Sequence, residues 1–174
     1  LEAPLSAKAD IEALLSHGCH TSPVITALTI QDTQDVLGYT PLDGDLIIEQ
    51  ARAVLEDMPI SAFKLGLLPT TETVEAIHSI LADYPEIPVV MDPVLASGSG
   101  TLLTDDEVLD VMTELLLPQA TVLTPNSREA RALAPEADNL DACAMALLAR
   151  GTEFVLITGT HENTPAVTNR LYGN

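Results

Sequence analysis

The sequence predicts an α/β fold of three layers, in which helices cover both faces of a mainly parallel β-sheet. Short apolar runs alternate along the chain with helical patterns of ten or more residues, which is typical of parallel sheets. The chain has 174 residues, of which 47% are hydrophobic, so it can form one domain with a substantial core. No internal repeat and no low-complexity segment interrupts this alternation.

Helices are predicted where apolar residues recur three and four positions apart between residues that begin or end a helix. Val74, Ile77 and Leu81 have this spacing, and Pro85 ends their helix. In chain order, the predicted helices cover residues 7–17, residues 45–56 with Leu46, Ile47, Val54 and Leu55 facing inward, residues 71–84, residues 104–117, a segment that begins at Ser127, and residues 140–150 closed by Gly151.

Strands are predicted where short apolar runs end at turn-forming residues. Residues 24–30 are apolar enough to be covered on both faces, as a strand of a parallel sheet is. A polar turn over residues 31–35 and an extended flap over residues 36–42 should follow. The remaining predicted strands cover residues 61–65, 88–91, 120–123, 154–157 and 166–172.

The helix over residues 104–117 carries an N-terminal signal. Thr104 and Glu107 are three positions apart, as in a capping box with Thr104 as the N-cap. Asp105 and Asp106 add negative charge to the first turn, where it complements the helix dipole.

Composition and charge exclude several classes of function. The net charge is −19, with 26 acidic residues against 7 basic ones, which opposes binding to nucleic acid or to anionic membranes. No apolar stretch is long enough to span a bilayer. Aromatic residues make up only 3%, which argues against a stacking surface for single-stranded nucleic acid. Cys19 and Cys143 lack metal or redox spacing, so a reduced, cytoplasmic setting is the expectation.

Ligands of parallel sheets bind beyond the carboxyl ends of the strands. The turns after Ile30, Leu65, Met91, Leu123 and Ile157 should therefore gather at one edge of the sheet. In so acidic a chain, an anionic substrate there would need helix N-termini, a metal ion or one of the few cationic side chains.

Three polar residues at this edge have the chemistry of a metal and phosphate site. Asp92 follows a strand, where it either holds Mg²⁺ near a transferred phosphate or accepts backbone hydrogen bonds in a turn. Asn126 and Glu129 lie on one face of a first helical turn, where they either serve the same site or form a capping-box variant. A cap can also present its carboxylate to a metal-bound water, so the two interpretations are compatible, and the combination favours phosphoryl transfer.

Other residues leave alternatives open. Gln31 offers a donor and an acceptor that match an aminopyrimidine edge, or it satisfies a turn. Lys64 either extends towards solvent or pairs with an acid such as Asp92. Residues 96–101 are rich in Gly and Ser but lack the spacing and the Lys of a phosphate loop, so they predict a flexible connection.

Taken together, residues 9–172 resemble the hydroxymethylpyrimidine/phosphomethylpyrimidine kinases of thiamine biosynthesis, which belong to the ribokinase-like superfamily. The order and spacing of the matching segments are specific, whereas no single segment is. They are Ala9-Asp10-Ile11, residues 24–33, residues 64–68, Met91-Asp92-Pro93-Val94 and residues 115–129.

The resemblance implies that ATP and Mg²⁺ phosphorylate 4-amino-5-hydroxymethyl-2-methylpyrimidine and then its monophosphate. It implies that Gln31 hydrogen-bonds the pyrimidine, in a pocket that is also lined by Asp10, Gly66, Leu67 and Val94. Asp92 and Glu129 would hold the metal, while the nucleotide and its phosphates would lie against Asn126, Glu129, Thr158 and Gly159. A homodimer and a small-molecule substrate are also implied.

Three departures from the family pattern qualify the resemblance. Ala3-Pro4-Leu5-Ser6 replace a Gly-rich stretch, and many relatives have Lys in place of Thr158. The family's first strand and its Gly-Ser/Thr-Gly-Cys segment, which carries the presumed catalytic base, have no counterpart, so the catalytic residue is unassigned. We therefore expect residues 1–174 to form a single ribokinase-like domain that is incomplete at both ends, and a full gene product that carries both segments. A pyridoxal-type kinase and an inactive ligand-binding paralogue are the alternatives.

Overall fold

The computed structural model describes residues 7–32, 36–97, 100–159, 161–162 and 166–173. Its strands form two separate sheets, and helices join the strands of the larger one. The helices are α1 (Ala7–Ser16), α2 (Gly44–Asp57), α3 (Thr71–Asp83), α4 (Asp106–Leu115), α5 (Ser127–Leu133) and α6 (Leu140–Ala149), with a 3₁₀ turn at Leu117–Gln119. The strands are β1 (Ala27–Gln31), β2 (Val36–Pro41), β3 (Phe63–Leu65), β4 (Val89–Met91), β5 (Val122–Leu123), β6 (Phe154–Ile157) and β7 (Arg170–Gly173).

The larger sheet has five strands in the order β3-β4-β5-β6-β7. The first four are parallel, and β7 is antiparallel to β6. Residues in register across the parallel strands face the same side, as Leu65, Met91, Leu123 and Val155 do. All four are buried in the main hydrophobic core. The predicted mainly parallel α/β fold is thus confirmed.

The two faces of this sheet are covered differently. Right-handed connections between neighbouring parallel strands place α3, α4, α5 and α6 on the face of the buried residues. Lys64 faces the opposite side, where its Nζ lies 2.9 Å from Asp10 Oδ2 in α1. Helices therefore flank both faces. The second face remains the more open one, with Phe154 41% and Leu171 66% exposed.

The strand expected over residues 24–30 is placed differently from the prediction. β1 begins at Ala27 and pairs only with β2, in an antiparallel two-stranded sheet. Leu28 and Ile30 are 60% and 65% exposed, so this strand is not covered on both faces. Gln31, expected in a turn, is the last residue of β1. The flap predicted over residues 36–42 is confirmed as β2, whereas residues 33–35 of the predicted turn lie outside the described residues.

The capping box predicted at Thr104 is wrong. Asp105 is the N-cap of α4, and its Oδ1 accepts a hydrogen bond from the Val108 N–H at 2.9 Å. Thr104 instead donates its hydroxyl to the Val94 carbonyl at 3.2 Å, a tertiary contact that the local sequence does not reveal. With the helix starting one residue later than predicted, Glu107 no longer occupies the third helical position that a capping box requires.

This difference is testable by unfolding. Asp105→Ala is expected to cost about 1 kcal/mol of the free energy of unfolding, the usual effect of losing an N-cap side chain. Glu107→Ala is the matched control, and we expect it to change that free energy by less than about 0.5 kcal/mol. Urea denaturation of both variants measures the difference. Equal losses would support the predicted box over the observed cap.

Two further details complete the fold. Leu46 was expected to face inward but is 45% exposed, while its neighbour Ile47 is fully buried. Gly151 ends the α6 region with a φ of 110°, and a Cβ there would lie 3.0 Å from Pro118 Cα, so both conformation and space favour glycine. None of the helices in the described part of the chain is long and apolar enough to cross a membrane.

Candidate active site

The polar residues after β4, β5 and β6 lie side by side at the carboxyl edge of the sheet. Backbone hydrogen bonds continue past the strand ends and fix their positions. The Asp92 N–H donates to the Leu65 carbonyl at 3.0 Å, and the Thr158 N–H donates to the Pro125 carbonyl at 2.9 Å. Asn126 forms a parallel bridge with Thr158. The sheet therefore brings together Asp92, Asn126 and Thr158, as the sequence predicts.

Asn126 and Glu129 form the capping box that was one of their two predicted roles. Asn126 Oδ1 accepts hydrogen bonds from the N–H groups of Arg128 at 2.9 Å and Glu129 at 3.0 Å. In return, the Asn126 N–H donates to Glu129 Oε2 at 2.8 Å. Glu129 is only 9% exposed, so its carboxylate is held at the buried side of the first turn of α5. Capping fixes this carboxylate, and the Leu95 backbone N–H donates a further hydrogen bond to it.

Burial raises the pKa values of the two carboxyl groups. Desolvation by burial, reinforced by the nearby Asp92 charge, raises the pKa of Glu129 from 4.5 to about 7. Desolvation also raises the pKa of Asp92, against the opposing effect of the Lys64 ammonium. The charge of Asp92 therefore reaches Glu129 across neighbouring strand ends. Such a pair favours an added cation between the carboxylates.

Lys64 pairs with Asp10 rather than directly with Asp92. Its Nζ lies 2.9 Å from Asp10 Oδ2, with 32% of the Lys64 side chain and 48% of the Asp10 side chain exposed. The same ammonium partly offsets the rise in the pKa of Asp92, so a positive charge lies near this carboxylate. Gly66 follows at the end of β3, and a Cβ added there would lie 3.9 Å from Lys64 Nζ. Asp10, Lys64 and Gly66 thus border one side of the site.

The two-stranded sheet of β1 and β2 also lies near this site. Val36, the register partner of Gln31, is buried in a small cluster with Val94 and Leu103, and Leu67 packs against that cluster. The end of β1 that carries Gln31 therefore lies near Val94 and Leu67, both predicted to line the pocket.

Gln31 has an unsatisfied polar atom at this position. Its Oε1 is buried and has no hydrogen-bond partner within the part of the chain that the structure describes. A buried carbonyl oxygen without a donor costs free energy, and a ligand amino group would supply the donor. This observation fits the aminopyrimidine alternative better than the turn alternative.

The loop after β6 is tightly packed at Gly159. A Cβ on Gly159 would lie 2.3 Å from the Thr168 carbonyl oxygen, so only glycine fits there. The Gly159 N–H donates to Asn169 Oδ1 at 3.3 Å. Sequence reasoning had found Thr158 and Gly159 but not Asn169, which has no motif and lies ten positions further along the chain.

The donor set of Asp92 and Glu129 fits Mg²⁺ as a phosphate-binding ion. Mg²⁺ keeps several waters and is usually held by one or two carboxylates together with substrate phosphates. Among the described residues, no group of three or more His, Cys, Asp or Glu side chains could hold a metal ion. Two carboxylates suit an ion that arrives with phosphate oxygens, and such an ion would offset the cost of burying their negative charges.

Fold and site together define an α/β protein with buried acidic residues at the carboxyl edge of a parallel sheet. The family model for phosphomethylpyrimidine kinase matches residues 7–174, so the chain belongs to that family. The hydroxymethylpyrimidine/phosphomethylpyrimidine kinase of Mycobacterium leprae is 33% identical over 172 residues, covering 95% of this chain and 62% of the relative. The chain spans about three fifths of the length of the bacterial kinases it matches.

Solved structures agree with this assignment of the fold. Phosphomethylpyrimidine kinase from Clostridium difficile has a TM-score of 0.86 at 32% identity, covering 95% of this chain and 73% of that one. An ADP complex of Bacillus subtilis pyridoxal kinase has a TM-score of 0.82 at 26% identity, covering 96% of this chain and 64% of that one. The ribokinase-like fold that the resemblance implied is therefore confirmed.

Proposed function

We propose that this chain is the part of an ATP-dependent kinase that binds 4-amino-5-hydroxymethyl-2-methylpyrimidine and its monophosphate for phosphorylation in thiamine biosynthesis. The observation that carries the proposal is the placement of two carboxylates, Asp92 and Glu129, at adjacent strand ends of a chain that belongs to the phosphomethylpyrimidine kinase family. Phosphoryl transfer depends on positioning and on neutralising phosphate charge, and this pair supports both.

On the acceptor side, we propose that Gln31 reads the aminopyrimidine. Its buried Oε1 would accept a hydrogen bond from the 4-amino group, and its amide N–H would donate to a ring nitrogen. Val94 and Leu67, which pack beside the partner strand of Gln31, would contact the ring, with Gly66 and Asp10 at the border of the pocket. Burying the ring there excludes water from the reacting hydroxyl group.

On the donor side, we propose that ATP binds with its phosphates towards Asp92, Asn126 and Glu129 and against Thr158 and Gly159. When bound, Mg²⁺ neutralises phosphate charge and orients the transferred group. Asp92 and Glu129 would hold this ion, and the capping hydrogen bonds keep Glu129 in one position. In the first turn of α5, the N–H groups of Arg128 and Glu129 donate to Asn126 Oδ1 and that of Ser127 donates to the Thr158 carbonyl, so they would not bind phosphate in this arrangement.

A second candidate is a pyridoxal-type kinase at the same site. The observation that favours it is the similarity to the Bacillus subtilis pyridoxal kinase, at 26% identity over nearly the whole chain. Pyridoxal also carries a hydroxymethyl group on an aromatic nitrogen ring, and pocket specificity can change with few residues. It lacks the 4-amino group that would satisfy Gln31, which is why the pyrimidine is the first choice.

Release of ADP separates the candidates. The full gene product that contains residues 1–174 is incubated with MgATP and, in turn, the pyrimidine alcohol, its monophosphate and pyridoxal. Release with the first two supports the proposal, and release with pyridoxal alone supports the second candidate. Saturable pyrimidine binding without ADP release identifies an inactive ligand-binding paralogue.

The role of Gln31 is testable by substitution. Gln31→Ala is expected to weaken pyrimidine binding about tenfold or more, because it removes a hydrogen-bonding group that the ligand would satisfy in a buried place. Isothermal titration with the pyrimidine alcohol measures the change, and thermal unfolding checks that the fold is intact. Unchanged affinity would remove Gln31 from the pocket.

We further propose a homodimer in the cytoplasm. Leu28 and Ile30 are exposed on one face of the two-stranded sheet and would be covered by a second copy. Both cysteines are free, as expected in a reducing compartment. Light scattering measures the molar mass in solution.

A further inference from the structure

Arg131 and Glu162 form a bidentate ion pair outside the site already described. Arg131 Nη1 donates to Glu162 Oε1 at 2.8 Å, and Nη2 donates to Oε2 at 3.2 Å. The side chains are 48% and 29% exposed, respectively. This fork geometry orders both side chains more than a single contact between point charges does.

The pair joins two segments that lie next to the proposed nucleotide site. Arg131 Nη1 also donates to the Ser127 carbonyl at 3.1 Å, at the start of α5. On the other side, the Glu162 N–H donates to the Gly159 carbonyl at 3.2 Å. The Ser127 N–H in turn donates to the Thr158 carbonyl at 3.1 Å. Arg131 and Glu162 thus close a ring of contacts between α5 and residues 158–159.

We propose that Arg131 and Glu162 are positioning residues for the nucleotide, which hold Thr158 and Gly159 against α5 in the conformation that binds ADP or ATP. The proposal rests on the proposed function, because it requires the nucleotide to lie against these two residues. Neither side chain contacts the nucleotide in this arrangement. They act by ordering the backbone of Thr158 and Gly159 before the nucleotide binds.

Loss of the ion pair should affect nucleotide affinity rather than the free energy of global unfolding. A half-exposed ion pair contributes little to the free energy of global unfolding, since solvent screens it and both side chains lose conformational freedom. Thr158 and Gly159 lie just beyond the end of β6, and local opening of a strand end costs less free energy than unfolding of the core. Loss of the pair should therefore change ligand affinity through the loop, with little change in the melting temperature.

Calorimetric titration of MgADP into the 174-residue chain tests the proposal. We expect Arg131→Gln and Glu162→Gln each to raise the dissociation constant about three- to tenfold, as the nucleotide must then order the loop itself. If the two residues acted only through their charges, Glu162→Gln would give the opposite result, because it removes a negative charge and should tighten binding of the anionic nucleotide. Weaker binding by both variants is therefore the signature of positioning.

A double variant and a matched control complete the experiment. Arg131→Gln with Glu162→Gln should bind MgADP about as weakly as either single variant, because both changes break one contact. Arg52→Gln is the control, since Arg52 forms a comparable exposed pair with Asp83 at 3.6 Å, and its affinity should match the unaltered chain.

Two results would overturn the inference, and they are distinguishable. If Glu162→Gln binds MgADP as tightly as the unaltered chain, or more tightly, the pair does not position the loop while the nucleotide site itself stands. If the unaltered chain binds no MgADP, the nucleotide site fails and the inference falls with it. A large loss of melting temperature without any change in affinity would mark a purely structural role and also count against the proposal.

Discussion

If the proposed function is correct, replacing Glu129 with Gln in the full gene product is expected to lower phosphoryl transfer about a hundredfold or more, while the affinity for the pyrimidine stays within about twofold. Gln retains a side-chain oxygen that accepts the Asn126 N–H, so the capping box and the start of α5 persist. It lacks the negative charge that would bind the phosphate-associated cation. The loss should therefore fall on kcat rather than on ground-state binding of the acceptor.

Steady-state ADP release gives kcat and KM for this variant. Glu72→Gln is the matched control, because Glu72 Oε1 also accepts a backbone N–H, that of Gly44 at 3.1 Å, and Glu72 is not among the groups that shift the pKa of Asp92 or Glu129. The control should keep full activity. A Glu129→Gln variant with unchanged kcat would take Glu129 out of the proposed phosphate site.

The second large effect is on stability as a function of pH, measured without divalent cations. Burial raises the pKa of Glu129 from 4.5 to about 7, so the folded state binds this proton more tightly than the unfolded state does. Neutral Glu129 therefore favours folding, and its contribution is fully present below about pH 4.5 and is lost as the pH rises to about 7. The loss amounts to as much as about 3 kcal/mol.

Glu129→Gln isolates this contribution because glutamine does not titrate. Urea denaturation in EDTA at several values between pH 5 and pH 8 should show the unaltered chain losing stability relative to the variant. At pH 8 the variant should be the more stable of the two. Parallel curves over this interval would mean that Glu129 is not held in the environment described above.

Both predictions follow from the burial of the same carboxylate, which lowers the stability of the fold but serves the proposed function. Asp92 and Glu129 are both partly desolvated by burial, and the charge of Asp92 further raises the pKa of Glu129. Such a pair lowers the stability of the unliganded fold, and proteins retain it where the charge is used on a ligand. Gln31 shows the same pattern in neutral form, with a buried oxygen that lacks a partner among the described residues.

The order of helices and strands could be predicted because their signals are local. Apolar spacing and helix-ending residues identify α3 correctly to within a residue, since Val74, Ile77 and Leu81 are all buried on the core side. The first strand shows the limit of such signals. Residues 24–30 are as apolar as a central strand, yet the pairing of β1 with β2 alone leaves Leu28 and Ile30 exposed.

Some neighbours in the candidate site could likewise be predicted from the sequence, whereas others could not. Asp92, Asn126 and Thr158 could be predicted as neighbours, because parallel strands bring their carboxyl ends to one edge. The partner of Lys64 could not, since Asp10 is 54 positions away and several acids were available to it.

By itself, the sequence determined the α/β class, the residues that follow each strand and the family to which the chain belongs, because periodicity, caps and motif order are properties of neighbouring residues. Only the tertiary structure decided that β1 leaves the main sheet, that Asp105 rather than Thr104 caps α4, and that Arg131 meets Glu162. These outcomes depend on which distant surfaces pack together. Packing is a cooperative balance over the whole chain, and no local pattern encodes it.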